Sequence, residues 1–475
     1  MSGAGPTVGS IAAGADKPAS AAPSTPWAVF FVASIAVFLV SIDTTVLFAA
    51  FGALRAVFPD STAADMSWVL NAYTVVYAAL LVPAGKLADT HGRKRIFQLG
   101  LTLFLIASAA CGAATSVGML VAARVLQALG AALLVPSSLA LVLGAFPPER
   151  RAVAVSLWGA VGGLAGALGP SVGAAVVDAL SWRWAFFINL PLGLLAWWHG
   201  RSRLIEWRNA DAKAPIDVPG IVLLIAGVGA VAFGIVQSES KVWSSPVVAG
   251  WIAGGLGVLL VFVAWAHRTP HPALDLSLFA DRTYRYVNAA TLVFGIAFAM
   301  MFFGLFFFLM QVWHYPLPRA GLAVSPGPLM VVPVAIVAGR WAARIGHRPL
   351  LVGGSLLYAA GGLWLALRAG IEPDFLRIWL PAMFMTGIGV GMVLPSLSGA
   401  AVARLAPARF GLGSAVNQAI RQMGAVLGVA ATVAIVGHTA PQLVDFQHLY
   451  AAHVGLALLT ALICLRVDTR PAVRR

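Results

Sequence analysis

Charge is scarce in this chain, and cysteine more so. Charged residues are 10% of 475, and the 17 acids are outnumbered by 31 lysines and arginines. The two cysteines, Cys111 and Cys464, stand far apart inside apolar stretches, which excludes a cysteine metal site and leaves them as packing residues. The nine histidines are scattered, mostly in loops or near helix ends, and none joins a carboxylate cluster. Without such a cluster, or a nucleophile with its base, no enzyme is expected, nor any metal site or cofactor. No Gly-x-x-x-x-Gly-Lys-Ser/Thr phosphate loop occurs, which argues against direct ATP-driven pumping. What abounds is hydrophobicity: 60% of residues, with a mean hydropathy of +0.89. Repeated apolar runs near the length of a bilayer crossing read as transmembrane helices, and the backbone's need for internal hydrogen bonds in lipid makes the fold an all-α integral membrane bundle.

A net charge of +14 would suggest nucleic acid in a soluble protein. Here most cations fall in or beside alternate loops, the bias that marks cytoplasmic loops. The charge is therefore topology rather than a nucleic-acid face, and both termini are placed in the cytoplasm, with a lipid bilayer as partner. Residues 1–26, rich in Ala, Gly, Ser and Pro, read as a disordered cytoplasmic tail. The apolar run that follows, Trp27 to Phe51, is too long for a signal peptide.

That first run contains Asp43. A carboxylate at this depth costs about 2.5–3.5 kcal/mol on insertion scales, so it is a functional candidate. Three readings stand for it: a proton acceptor, a contact for a cationic substrate, or a structural acid bonded to a neighbouring helix. Trp68 and Tyr73 are placed at the outer end of the second span, as interfacial aromatics. Span four carries Arg124 and Gln127 one turn apart on one face. Arg421, the other arginine inside a span, lies about two turns into its helix and either snorkels or pairs within an inner gate.

The short stretch Gly85 to Arg95 joins spans two and three. It reads Gly-Lys-Leu-Ala-Asp-Thr-His-Gly-Arg-Lys-Arg, with Gly85 and Gly92 bracketing Asp89 and with Arg93 following. The pattern returns without gaps in the second half: Gly85, Ala88, Gly92 and Lys94 fall on Gly339, Ala342, Gly346 and Arg348, with Ala343 in place of the acid. Internal repetition of this kind is expected of duplicated transporter halves. Span five carries Gly169, Pro170 and Gly173, residues for close helix approach and a bend. Phe298, Met301 and Phe302 belong to an aromatic and methionine run suited to varied ligands.

The Gly85–Arg95 stretch resembles the signature loop of the major facilitator superfamily, Gly-x-Leu-Ala-Asp-x-x-Gly-Arg-Lys. Within that superfamily, the fourteen-span drug:proton antiporters are matched by Ser-Ile-Asp-Thr-Thr-Val around Asp43, with Leu47 near the family's usual asparagine. Arg-x-x-Gln at Arg124 and Gln127, Trp182-Arg183-Trp184 with Ile188-Asn189-Leu190-Pro191-Leu192-Gly193, and Asn417, Arg421 and Gly424 continue the likeness. Gly-Pro-x-x-Gly at Gly169 to Gly173 resembles the motif of the superfamily's exporters.

The resemblance implies two six-helix halves with two extra helices between them, fourteen spans in all. The boundaries are a half at 27–204, a linker with the extra pair at 205–267, a cytoplasmic linker at 268–285, a half at 286–467 and a basic tail at 468–475. It implies a plasma-membrane exporter of small, lipophilic compounds (drugs or antibiotics) in exchange for protons, acting as a monomer. Asp43, Arg124 and Gln127 would couple protons and substrate. Gly85, Asp89, Gly92, Arg93 and Arg421 would form the inner gate, with Asp89 at the helix start near Gly413. Phe298, Met301, Phe302 and Asn417 would line the cavity. The alternatives are a proton-coupled importer of a small solute and a membrane sensor with a transporter fold.

Overall fold

A computed structural model describes residues 25–206, 215–237, 245–405, 409–436 and 441–469. Most of both predicted tails and the linker cations Arg208 and Lys213 lie outside the described residues.

The first half is built from α1 (Pro26–Val57), α2 (Ala63–His91), α3 (Arg93–Gly112), α4 (Val117–Ala145), α5 (Pro148–Ala179), α6 (Trp184–Phe187) and α7 (Asn189–Arg203). Next come α8 (Val218–Gln237) and α9 (Pro246–Arg268). The second half contains α10 (Arg282–Gln311), α11 (Leu317–Val324), α12 (Pro326–Ile345), α13 (Arg348–Arg368), α14 (Leu380–Val402), α15 (Phe410–Val436) and α16 (Leu443–Cys464).

Packing repeats between the halves. In the first, α1 lies against α5, α4 and α7, while α3 packs on α4 and α7; in the second, α10 lies against α15, α14 and α16, while α13 packs on α14 and α16. The repeat extends to the backbone. Gly92 (φ 108°) and Gly346 (φ 80°) are the positive-φ glycines among the described residues; Gly92 alone separates α2 from α3, and Gly346 with His347 separates α12 from α13. A side chain would be strained there, so glycine is required at equivalent corners.

The halves meet along two seams, α2 against α15 and α5 against α11 and α12. At the second seam the Ser171 hydroxyl bonds that of Ser325 and reaches the Gly321 carbonyl (3.4 Å). The helix α8 packs against α2 and α15 and covers their seam, whereas α9 packs chiefly on α8 and exposes Trp251, Leu256, Leu260 and Val261. That apolar face suits lipid. Asp217 fastens this pair: it accepts from Gly220 N–H, the Trp265 indole and Ala273 N–H, each at 2.9 Å.

Among the described residues, twelve helices are long and apolar enough to cross a membrane, and α5, bent by 43° between Gly166 and Ser171, makes thirteen. The sequence reading expects fourteen. The sixth predicted span is broken at Ile188 into α6 and α7, of 4 and 15 residues, and neither crosses a bilayer alone.

Candidate functional site

Helix α1 places three polar residues together, Asp43, Thr44 and Thr45. The two threonine hydroxyls bond back to their own helix, at Val40 O (3.0 Å) and Ser41 O (3.1 Å). Asp43 is left to reach other helices. Arg124 and Gln127, three residues apart on α4, face it together. Arg124 Nη1 donates to Asp43 Oδ2 at 2.6 Å and to Gln127 Oε1 at 2.7 Å, while Arg124 Nε donates to Val69 O at 3.0 Å. Gln127 Nε2 donates to Asp43 Oδ1 at 2.8 Å.

A further residue completes the cage. Asn189, at the break between α6 and α7, donates to Asp43 Oδ1 (2.9 Å) and to Ser108 Oγ (3.0 Å). Ser108 in turn donates to Phe186 O at 2.9 Å. Asp43, Arg124, Gln127, Asn189 and Ser108 are each no more than 1% exposed. Arg124 also lies over the Tyr73 ring, 4.0 Å from its centroid. Along α4, Arg124 lies about 10 Å by helix rise from the end opposite the Gly85–Arg95 loop. Chemically this is a buried ion pair whose other carboxylate oxygen, Oδ1, accepts from two neutral donors, the kind of support under which such a pair is tolerated. One proton on Asp43 would dissolve its pairing with Arg124.

The structure therefore brings Asp43, Arg124 and Gln127 together. Asn189 and Ser108 received no role from the sequence, and Tyr73 was assigned elsewhere. Tyr73 is buried rather than interfacial, because Arg124 draws its ring inward. It stacks on Tyr77 (centroids 5.8 Å), one turn along α2, and Tyr77 lies beside Gln418 and Arg421 of α15. The signal for this pair is the four-residue spacing of the tyrosines on one face.

The helix–helix motif of α5 lies alongside. A Cβ at Gly169 would run into the Thr45 side chain, and one at Gly173 would come within 2.8 Å of Val46 Cα. The two glycines thus seat α5 against the turn after Asp43; Pro170 lies at the 43° bend.

At the basic end, Arg93 donates to Asp89 at 3.0 Å and to Ala140 O at 3.1 Å, fastening the loop to α4. Glu206 accepts from the Lys94 and Arg95 amides (3.0 and 3.2 Å) and fills the space a side chain at Gly92 would occupy. Acidic capping of a helix start is favourable. The described partner of Asp89 is Arg93, not the start of α15 near Gly413, and a Cβ at Gly85 would find only ordinary contact with Pro136. Arg421 does not join this loop; it lies at the level of Tyr77, about 12 Å along α2 from Gly85.

Of the cavity candidates, Asn417 donates to Asn288 (3.0 Å) and Thr291 (2.8 Å) and joins α15 to α10. Met301 and Phe302 are buried, and Phe298, stacked on Phe302 at 6.0 Å, is partly exposed. The sequence reading of the histidines missed His453, which is fully buried in α16 between the Ala297 and Tyr358 carbonyls.

Two pseudo-symmetric helical bundles, the first holding an intramembrane charge pair, define a secondary-transporter architecture. The comparisons give the family. The Major Facilitator Superfamily profile matches residues 33–428 and, in an overlapping placement beginning at the second half, 287–475, so the chain belongs to that superfamily. It is similar to the puromycin resistance protein pur8 of Streptomyces alboniger, 34% identical over 91% of this chain and 89% of that one. It is also similar to the cephamycin export protein CmcT of Amycolatopsis lactamdurans, 31% identical over 95% and 94%. Among solved structures, the nucleoside transporter NupG (D323A mutant) shares the fold with a TM-score of 0.65 at 11% identity, over 92% of this chain and 99% of that one.

Proposed function

We propose that this superfamily transporter is a proton-coupled exporter of small lipophilic molecules, working by alternating access in the plasma membrane with both termini cytoplasmic. The observation that carries the reading is the buried Asp43–Arg124 pair (2.6 Å), a titratable carboxylate inside a span whose partner is released by one proton. Protonation of Asp43 from outside frees Arg124 and loosens α1 from α4. Since α5 rides on α1 at Thr45 and Val46, a shift of α1 reaches the α5–α11 seam at Ser171. Release of the proton inward restores the pair. The Gly-Pro-x-x-Gly segment and the resistance and export names of the relatives support the outward direction.

In the same reading α6 and α7 together form one crossing, broken at Ile188 so that Asn189 can reach Asp43, and the chain makes fourteen crossings. The halves are 27–204 and 286–467, with α8 and α9 as the added pair. The Asp89–Arg93 corner acts as a latch at the inner gate.

The test is proton-driven uptake of dye into inverted vesicles by Asp43→Asn. The expected outcome is loss of gradient-dependent uptake with the protein still inserted. Full proton-driven transport would sink the proposal.

A further inference from the structure

Away from the helix ends, the described spans hold one acid and two arginines; every other described acid lies in a loop or at a helix end, and the cations Lys86 and Arg340 lie five residues from the ends of α2 and α12. Asp43 is already matched by Arg124. The interior therefore carries one uncompensated positive charge, on Arg421, rather than a negative one. Arg421 donates through Nε and Nη2 to a single neutral acceptor, Gln418 Oε1 (3.2 and 2.7 Å). Among the described residues no carboxylate is within ion-pair distance of it, and its Nη1 makes no hydrogen bond. A guanidinium carries five donors, so this one has capacity to spare.

Its position points inward. Arg421 is only partly buried, whereas Arg124 is 1% exposed. Its neighbour Tyr77 is a buried α2 residue that stacks on Tyr73, the ring beneath Arg124. The outer side of the α2–α15 seam is covered by α8. Arg421 thus sits at the junction of the two halves, linked through two tyrosines to the Asp43 cage, with donors to spare. A cation at this depth requires an anion or water. The planar fork of arginine fits the paired oxygens of a carboxylate or a phosphate through two parallel hydrogen bonds.

We propose that Arg421, with Gln418 and Tyr77 beside it, binds an acidic oxygen group, a carboxylate or its equivalent, on the transported molecule. The preferred cargo is then an acidic lipophile, and cationic lipophiles are disfavoured by the net positive interior. This rests on the transport reading above but not on its direction or its proton coupling.

The test is equilibrium binding to the purified full chain in a neutral detergent, with no gradient, followed by fluorescence anisotropy. The probes are two xanthene dyes of similar size, anionic fluorescein and cationic rhodamine 6G. Fluorescein should bind more tightly. Arg421→Gln should weaken fluorescein by about tenfold or more, the scale of one lost hydrogen bond to a charged group, and leave rhodamine 6G binding no weaker than before. Arg421→Lys should keep the preference for fluorescein, which guards against a folding defect in the glutamine variant. Absent fluorescein binding, equal or tighter rhodamine 6G binding, or equal weakening of both dyes by Arg421→Gln overturns the proposal. A retained charge preference beside unimpaired proton-driven transport by Asp43→Asn would overturn the coupling reading alone.

Discussion

Neutralising Asp43 alone should destabilise the protein more than neutralising Asp43 and Arg124 together. In Asp43→Asn, Arg124 keeps Val69 O, Gln127 Oε1 and the Tyr73 face but loses its only anion. Removing one member of a buried pair costs about 3–5 kcal/mol, and these neutral partners place the loss near the lower end. In Arg124→Gln, Asp43 keeps the Gln127 and Asn189 donors (2.8 and 2.9 Å) but is left as a bare buried anion, with a loss of similar size. In the double variant no buried charge remains, and neutral replacement of a buried pair is commonly near zero in effect. The coupling between the two sites should therefore exceed about 2 kcal/mol. Denaturant titration of the four proteins in detergent, followed by tryptophan fluorescence, measures it. If the single losses add to within about 0.5 kcal/mol, the two residues do not act as a unit and the argument from the pair fails.

Gly169→Ala and Gly173→Ala should both destabilise the α1–α5 contact, by about 1–3 kcal/mol each. Thr45→Ala should recover part of the first loss, since it removes the hydroxyl but leaves the Thr45 Cβ at 2.7 Å, and none of the second, where the obstacle is the Val46 backbone; thermal unfolding of the paired variants decides. His347, between the α12 and α13 spans, has its imidazole pushed below the ordinary value by burial. The folded protein holds this ring neutral while the unfolded chain protonates it, so its contribution to stability is present above about pH 6.5 and declines as pH falls through that value. His347→Gln should flatten that part of the stability–pH curve between about pH 7 and pH 5, and an unchanged slope would show that the ring is not a source of it.

The contrast between Gly92 and Asn189 shows how much could be read beforehand. Gly92 sits in a local pattern, glycine, acid, glycine and base within one short loop, and its positive φ follows from a helix ending and another starting without a gap. Asn189 lay in an equally visible motif, yet its role is set by Asp43, 146 positions away. Nothing in its neighbours reports that contact. Tyr73 was misplaced for a related reason: an aromatic near a span end fits the interface rule until an arginine on another helix claims its face. Arg421 was assigned to the gate from its place on the helix, and the depth of Tyr77 on a different helix moved it inward.

Hydrophobic run lengths, the bias of cations toward alternate loops and the repeated glycine corners by themselves determined a two-half helical membrane protein, because each is a local response to the bilayer or to backbone geometry. The broken sixth span, the five-residue cluster that includes Asp43 and the unmatched charge on Arg421 were decided only by tertiary structure. Each depends on which helix faces are brought together, and a side chain's charge partner in lipid is chosen by proximity in space rather than in sequence.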